Sequence, residues 1–172
     1  IRFISKFLVT NNTLRSNQRR ILYSMIYWFI GQPGAGKTTM AKKLKTFLEN
    51  EYNTHVFHVD GDDIRELLEN KDYSRDGRIK NITFAQGLAA YLNRHGNVVV
   101  SVVTPYLDVR EAFKKKLDQR IVEIYVTTKD IRGRENFHVQ DFEAPEERYI
   151  LLDTTDISEE DAFKQLKEDL AL

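Results

Sequence analysis

The sequence predicts an α/β domain, a parallel five-stranded sheet between helices, and two observations carry that prediction. Short apolar runs rich in β-branched and aromatic residues alternate with longer stretches of helical periodicity. Between the first such run and the first helix stands Gly31-Gln32-Pro33-Gly34-Ala35-Gly36-Lys37-Thr38-Thr39, which fits the pattern G-x-x-x-x-G-K-[ST]. An alternating order of this kind places helices on both sheet faces and ligands at the carboxyl ends of the strands. The glycine run in that context makes the fold a P-loop NTPase fold.

Taken in order, the expected strands are Ile26–Ile30, Thr54–Val59, Asn97–Val103, Ile121–Val126 and Tyr149–Leu152. Each is nearly continuous in apolar character, as strands covered on both faces should be. The expected helices are Lys37–Asn50, Asp62–Glu69, Gly77–His95, Val109–Leu117 and Ser158–Leu170. Met40, Leu44, Phe47 and Leu48 share one face of the first helix. Gly96-Asn97 is a candidate C-cap for the third, and Ser158-Glu159-Glu160-Asp161 a capping start for the last.

At 172 residues the chain has the length of one domain and enough mass for a real core. Its 41% hydrophobic and 30% charged residues are ordinary for a globular protein, and no window has the roughly 18 apolar residues of a membrane span. The absence of cysteine excludes disulfides, thiolate metal sites and thiol catalysis, and fits a reducing, cytoplasmic setting. The neutral net charge hides an asymmetry. Residues 1–24 hold Arg2, Lys6, Arg15, Arg19 and Arg20 and no acid, which leaves 21 basic and 26 acidic side chains to the rest. A domain of that sign is a poor binder of nucleic acid. Residues 1–24 read as a basic N-terminal extension outside the core, with the P-loop domain over 25–172. An accessory helix or a targeting segment are the other readings of that stretch.

The chemistry is concentrated at the strand ends. Glycines let the backbone approach a phosphate, and consecutive amides at a helix N-terminus form an anion nest. Gly31, Gln32, Pro33, Gly34, Ala35, Gly36, Lys37, Thr38 and Thr39 are therefore the expected ATP-binding residues. Lys37 supplies a point charge to the β/γ-phosphates, and the Thr38 hydroxyl a ligand for Mg²⁺. The second strand runs into Asp60-Gly61-Asp62, where one carboxylate serves the metal shell and another takes a proton from an attacking hydroxyl. The alternative is an acidic turn with Asp62 as N-cap. Arg65 lies one helical turn past Asp62, aimed at an anionic group of the acceptor. Tyr73, Arg78 and Asn81 follow, and then Thr104-Pro105-Tyr106 with Arg110 at the end of the third strand. His55 and His58 alternate on the second strand and read as sheet histidines, since one strand cannot complete a metal site. His95 reads as a helix-terminal residue and His138 as part of the lid.

These motifs, in this order, resemble the adenylylsulfate kinase family. Its pattern is G-x-x-G-A-G-K-[ST]-T, D-G-D-x-x-R, F-S-x-x-x-R-x-x-N, I-S-P-Y-x-x-x-R, a lid ending in E-A-P, and a late D-T. Here they stand as Gly31–Thr39, Asp60-Gly61-Asp62 with Arg65, Tyr73-Ser74 with Arg78 and Asn81, and Val103-Thr104-Pro105-Tyr106 with Arg110. Glu143-Ala144-Pro145 and Asp153-Thr154 complete the match, which spans about Ile26 to Thr155. The resemblance implies ATP- and Mg²⁺-dependent phosphorylation of the 3′-hydroxyl of adenosine 5′-phosphosulfate, a small-molecule reaction of sulfate activation. Lys37, Asp60, Asp62, Thr104, Arg132 and Arg134 are then the catalytic set, and Thr38 and Asp60 the metal ligands. Asp62, Arg65, Tyr73, Arg78, Asn81, Thr104, Pro105, Tyr106 and Phe137 line the acceptor, with Tyr73 and Phe137 on the two faces of its adenine. A homodimer is compatible with this reading, and no membrane is involved.

Two departures stand out. Thr104 replaces the usual serine, and the stretch from Thr127 to Glu143 is shorter than the family lid and lacks its K-K-A-R-A-G run. Arg132 and Arg134 are expected to supply that charge. The short lid motivates a second reading, the same chemistry on another hydroxyl compound such as a nucleoside, a sugar or a polysaccharide precursor. A nucleotide-binding module without turnover is the third.

Overall fold

The computed structural model describes residues 24–129, 133 and 135–172. Most of the expected N-terminal extension, and both Arg132 and Arg134, lie outside the described residues. The five strands are β1 (Ile26–Ile30), β2 (Val56–Asp60), β3 (Asn97–Ser101), β4 (Ile121–Thr127) and β5 (Tyr149–Asp153). They form one sheet in the order β2-β3-β1-β4-β5, with every pairing parallel. The helices are α1 (Lys37–Tyr52), α2 (Gly61–Leu67), α3 (Arg75–Leu92), α4 (Leu107–Leu117) and α5 (Glu159–Leu170).

Alternation along β1 divides the core. Tyr27 and Phe29 face α1 and α5, packing with Met40, Leu44, Leu48, Ile124, Val126 and Leu166. Ile26, Trp28 and Ile30 face the opposite way, toward Ile64, Ile82, Ala85, Ala89, Phe113 and Leu117 of α2, α3 and α4. Both faces of β1 are therefore buried, which is why its sequence is continuously apolar. The order of strands sends the chain from β1 to one side of the sheet and, after β3, to the other. A crevice opens at the carboxyl end of β1, where the two directions part.

Local rules explain most element boundaries. Gly36 takes a left-handed conformation at φ 95° and opens α1. Ser158 caps α5 by accepting from the Asp161 amide at 3.1 Å, with three acids in the first turn complementing the helix dipole. Several expected boundaries are corrected. Asp60, not Asp62, caps α2, and α3 begins at Arg75 because Ser74 caps it through the Gly77 amide. The third helix ends at Leu92 with Asn93 as its C-cap. Gly96 belongs to the turn beyond, and His95 lies outside the helix. His55 precedes β2 rather than alternating with His58 on it. α4 starts two residues earlier than expected because the Glu143 carboxylate, far along the chain, accepts from the Leu107 amide. Among the described residues no helix is long and apolar enough to cross a membrane.

Candidate active site

The loop between β1 and α1 is held from three sides. Gly31 sits at φ 137°, and a Cβ there would come within 2.1 Å of the Val126 carbonyl oxygen, so only glycine lets the loop press against β4. The Thr154 hydroxyl donates to the Ala35 carbonyl at 3.1 Å, which explains why a threonine closes β5. Lys37 Nζ donates to the Gln32 carbonyl at 2.9 Å, folding its ammonium over the loop.

Beside the loop, β2 delivers Asp60 into a hydrogen-bond cluster. Its Oδ2 accepts from Thr38 Oγ1 at 2.9 Å and from Ser101 Oγ at 2.6 Å, while Oδ1 accepts from the Asp62 amide at 2.9 Å. His58 Nε2 lies 2.8 Å from Ser101 Oγ, and since that hydroxyl gives its proton to Asp60, the imidazole donates through Nε2. Burial acts to raise the Asp60 carboxyl, but the three donors outweigh it and hold the group below the ordinary aspartate range. Burial pushes the His58 imidazole below the ordinary histidine range. Asp62 stands exposed at the first turn of α2.

The depressed Asp60 carboxyl has a signed consequence. A folded-state value below the unfolded one gives stability that is present above the ordinary aspartate range and lost as pH falls through the folded value. In urea titrations from about pH 5 to about pH 3, the wild-type chain should lose stability more steeply than Asp60→Asn, which has no such proton to bind.

On the other side of the crevice, Tyr73 and Phe137 meet with ring centroids 5.6 Å apart and planes inclined at 51°. They are 48% and 43% exposed, so both rings lie at the surface rather than in the core. The Arg65 guanidinium lies 4.1 Å and that of Arg78 5.5 Å from the Tyr73 ring centroid. Arg65 also donates to the Asn70 and Asp72 carbonyls, and Arg78 Nε to the Tyr73 carbonyl, so both arginines shape the loop that presents Tyr73.

Four expected site residues are placed differently. Thr104 is 1% exposed; its hydroxyl accepts from Trp28 Nε1 at 2.9 Å and donates to the Val102 carbonyl at 3.0 Å. That hydroxyl belongs to the packing beneath the cleft, not to the reacting surface. Asn81 is buried, and its amide oxygen is taken by Asn70 Nδ2 at 2.6 Å, so it braces the Tyr73 loop. Pro105 accepts from the Glu143 amide at 2.8 Å, and the buried Tyr106 ring is covered by the Arg75 guanidinium at 4.0 Å. The T-P-Y and E-A-P motifs are thus one staple. Arg110 completes it, donating to the Thr104 and Glu143 carbonyls at 2.6 Å each.

Ser101 and the Gln32 side chain escaped the sequence reading. Ser101 reaches Asp60 through sheet register, because parallel pairing of β2 with β3 sets Asp60 opposite the hydroxyl that follows three valines. Nothing local marks Gln32, whose partner is Val139, 107 positions away.

A parallel sheet, a glycine loop opening α1 and a hydroxyl–carboxylate pair at the neighbouring strand end define a P-loop NTPase-like domain. Residues 23–139 match the family described as adenylylsulphate kinase, and the chain belongs to that family. An adenylyl-sulfate kinase of Chloroflexus aurantiacus is 41% identical over 88 residues, covering 50% of this chain and 47% of that one. A cytidine diphosphoramidate kinase of Campylobacter jejuni is 32% identical over 102 residues, covering 59% of each. The crystal structure of APE1195 superposes with a TM-score of 0.75 at 27% identity, covering 87% of this chain and 96% of that one. The chain thus spans about half the length of the curated relatives it matches at the sequence level.

Proposed function

We propose that this protein transfers the γ-phosphoryl group of ATP to the 3′-hydroxyl of adenosine 5′-phosphosulfate. The observation that carries the reading is the exposed Tyr73–Phe137 pair with the Arg65 and Arg78 guanidinium groups against the Tyr73 ring. Two aromatic faces suit a planar base, and guanidinium groups suit the phosphosulfate. The rings stand closer than the roughly 7 Å that a base stacked between them requires, so acceptor binding parts them.

ATP phosphates lie on the loop amides, and Lys37 turns from the Gln32 carbonyl to the β/γ oxygens. The Thr38 and Asp60 oxygens, 2.9 Å apart, fit the manner in which Mg²⁺ is held, by one or two protein oxygens with phosphate and water completing the shell. Three donors already fix Asp60 as an anion, which suits the metal side. The exposed Asp62 carboxylate is then the group that orients the acceptor hydroxyl and receives its proton. The hydroxyl oxygen forms the new bond to phosphorus as the bond to the ADP oxygen breaks. Rate enhancement comes from positioning and charge, with no covalent intermediate on the protein. Arg132 and Arg134 belong to the same proposal as the charges that meet the migrating group.

The test is ADP release with ATP and Mg²⁺, with and without adenylylsulfate. Strong stimulation with a 3′-phosphorylated product supports the reading. Asp62→Asn should lower kcat by about 10²-fold while nucleotide binding persists; an unchanged kcat removes Asp62 from the chemistry. A second reading, another anionic nucleotide acceptor, is favoured by the short lid and by the relative described as acting on cytidine diphosphoramidate. A panel of nucleoside diphosphate derivatives separates the two by which acceptor is used best.

A further inference from the structure

Gln32 is the second residue of the phosphate loop after β1, and its side chain makes an unusual pair of contacts. Its Nε2 donates to the Val139 carbonyl at 2.8 Å, and its Oε1 accepts from the Val139 amide at 2.9 Å. Both polar groups of one backbone residue are thereby satisfied by one side-chain amide, in the manner of a strand bridge. Next to it, His138 Nε2 lies 3.2 Å from the Pro33 carbonyl. Val139 is buried although its neighbours on both sides are exposed, so the contact seats this segment at one point.

Two residues before Val139 stands Phe137, the ring that meets Tyr73. A continuous path therefore runs from the loop through Val139 and Phe137 to Tyr73. Gln32 also meets the nucleotide side, because its carbonyl accepts from Lys37 Nζ at 2.9 Å. Gly31 removes slack, since the loop backbone there is wedged against Val126.

We infer that Gln32 is a positioning residue that ties the phosphate loop to the acceptor side of the cleft, acting through Val139 to place Phe137. The inference rests on the reading that Tyr73 and Phe137 face the acceptor. The amide is required at both ends. Leucine at 32 keeps the bulk and loses both bonds, while glutamate keeps the acceptor but sets an oxygen against the Val139 carbonyl.

Amide exchange on the full chain tests the tie without any acceptor. Gln32→Leu should speed exchange of the Val139 amide about tenfold, the effect of losing two neutral hydrogen bonds, with α1 and β1 unchanged. Unchanged exchange at Val139 overturns the inference. With adenylylsulfate as acceptor, Gln32→Leu and Gln32→Glu should each raise the acceptor KM about tenfold, several-fold more than either raises the ATP KM. Equal rises in both constants, as a merely damaged loop would give, overturn it. Adding Phe137→Leu to Gln32→Leu should raise the acceptor KM no further than Phe137→Leu alone, and additive rises also overturn it. If the wild-type chain does not use adenylylsulfate, the proposed function falls, and the exchange result still decides the tie to Val139.

Discussion

Lys37→Ala is expected to abolish turnover, by about 10³-fold or more, in a chain that stays folded. Under the proposed function the Lys37 ammonium, at the first position of α1, stabilises charge on the leaving and migrating phosphoryl oxygens. Lys37 is buried at the start of α1, where alanine is a good helix former, and the Gln32 carbonyl loses one donor at a cost of about 1 kcal/mol. Acceptor-dependent ADP release and thermal unfolding, measured on the same preparation, check both halves. Normal turnover in this variant would sink the kinase reading, and loss of the folded state would show that the ammonium holds the loop together.

Glu123→Ala has the largest expected effect on stability. Glu123 sits on β4 at 2% exposure, with its carboxylate 3.0 Å from Arg110 Nε and 2.8 Å from Lys114 Nζ. Both cations are themselves buried; Lys114 keeps the Glu111 carboxylate at 2.5 Å, but Arg110 is left without its carboxylate partner in a low dielectric, a loss of about 3–5 kcal/mol. Backbone carbonyls of Thr104, Glu143 and Glu147 still accept from these cations, which favours the lower end of that range. For a chain of this size the melting temperature should fall by about 10 °C, read by calorimetry. A shift of only a degree or two would mean that the carbonyls and Glu111 together satisfy the two cations. The network also joins α4 and β4 to residues 143–147, the return of the lid, so the acceptor side should loosen with it.

How much was legible follows from the range of each interaction. The strands, the phosphate loop and the helix starts at Gly36 and Ser158 came from local patterns, because burial on both faces, left-handed glycine and side-chain capping act within a few residues. The start of α4 did not, since its first amide is met by Glu143. Thr104 and Asn81 carried the right residue types at the expected spacing, yet packing turned their polar groups inward to Trp28 and Asn70. A sequence motif marks which residues stay together and does not reveal which way a side chain turns. Arg110 shows the same limit, as its guanidinium serves two carbonyls and Glu123 within the wall of the cleft.

By itself, then, the sequence determined the alternation of strands and helices, the phosphate loop with Lys37 and Thr38, and the acidic pair at the end of β2. Each depends on neighbours a turn or a strand apart, so the chain states it locally. Tertiary structure alone decided that Ser101 and His58 support Asp60, that Gln32 grips Val139, and that Arg110, Lys114 and Glu123 form one buried network. Those contacts join residues brought together by sheet register and by the return of the lid, and their energy exists only once the intervening chain has been ordered.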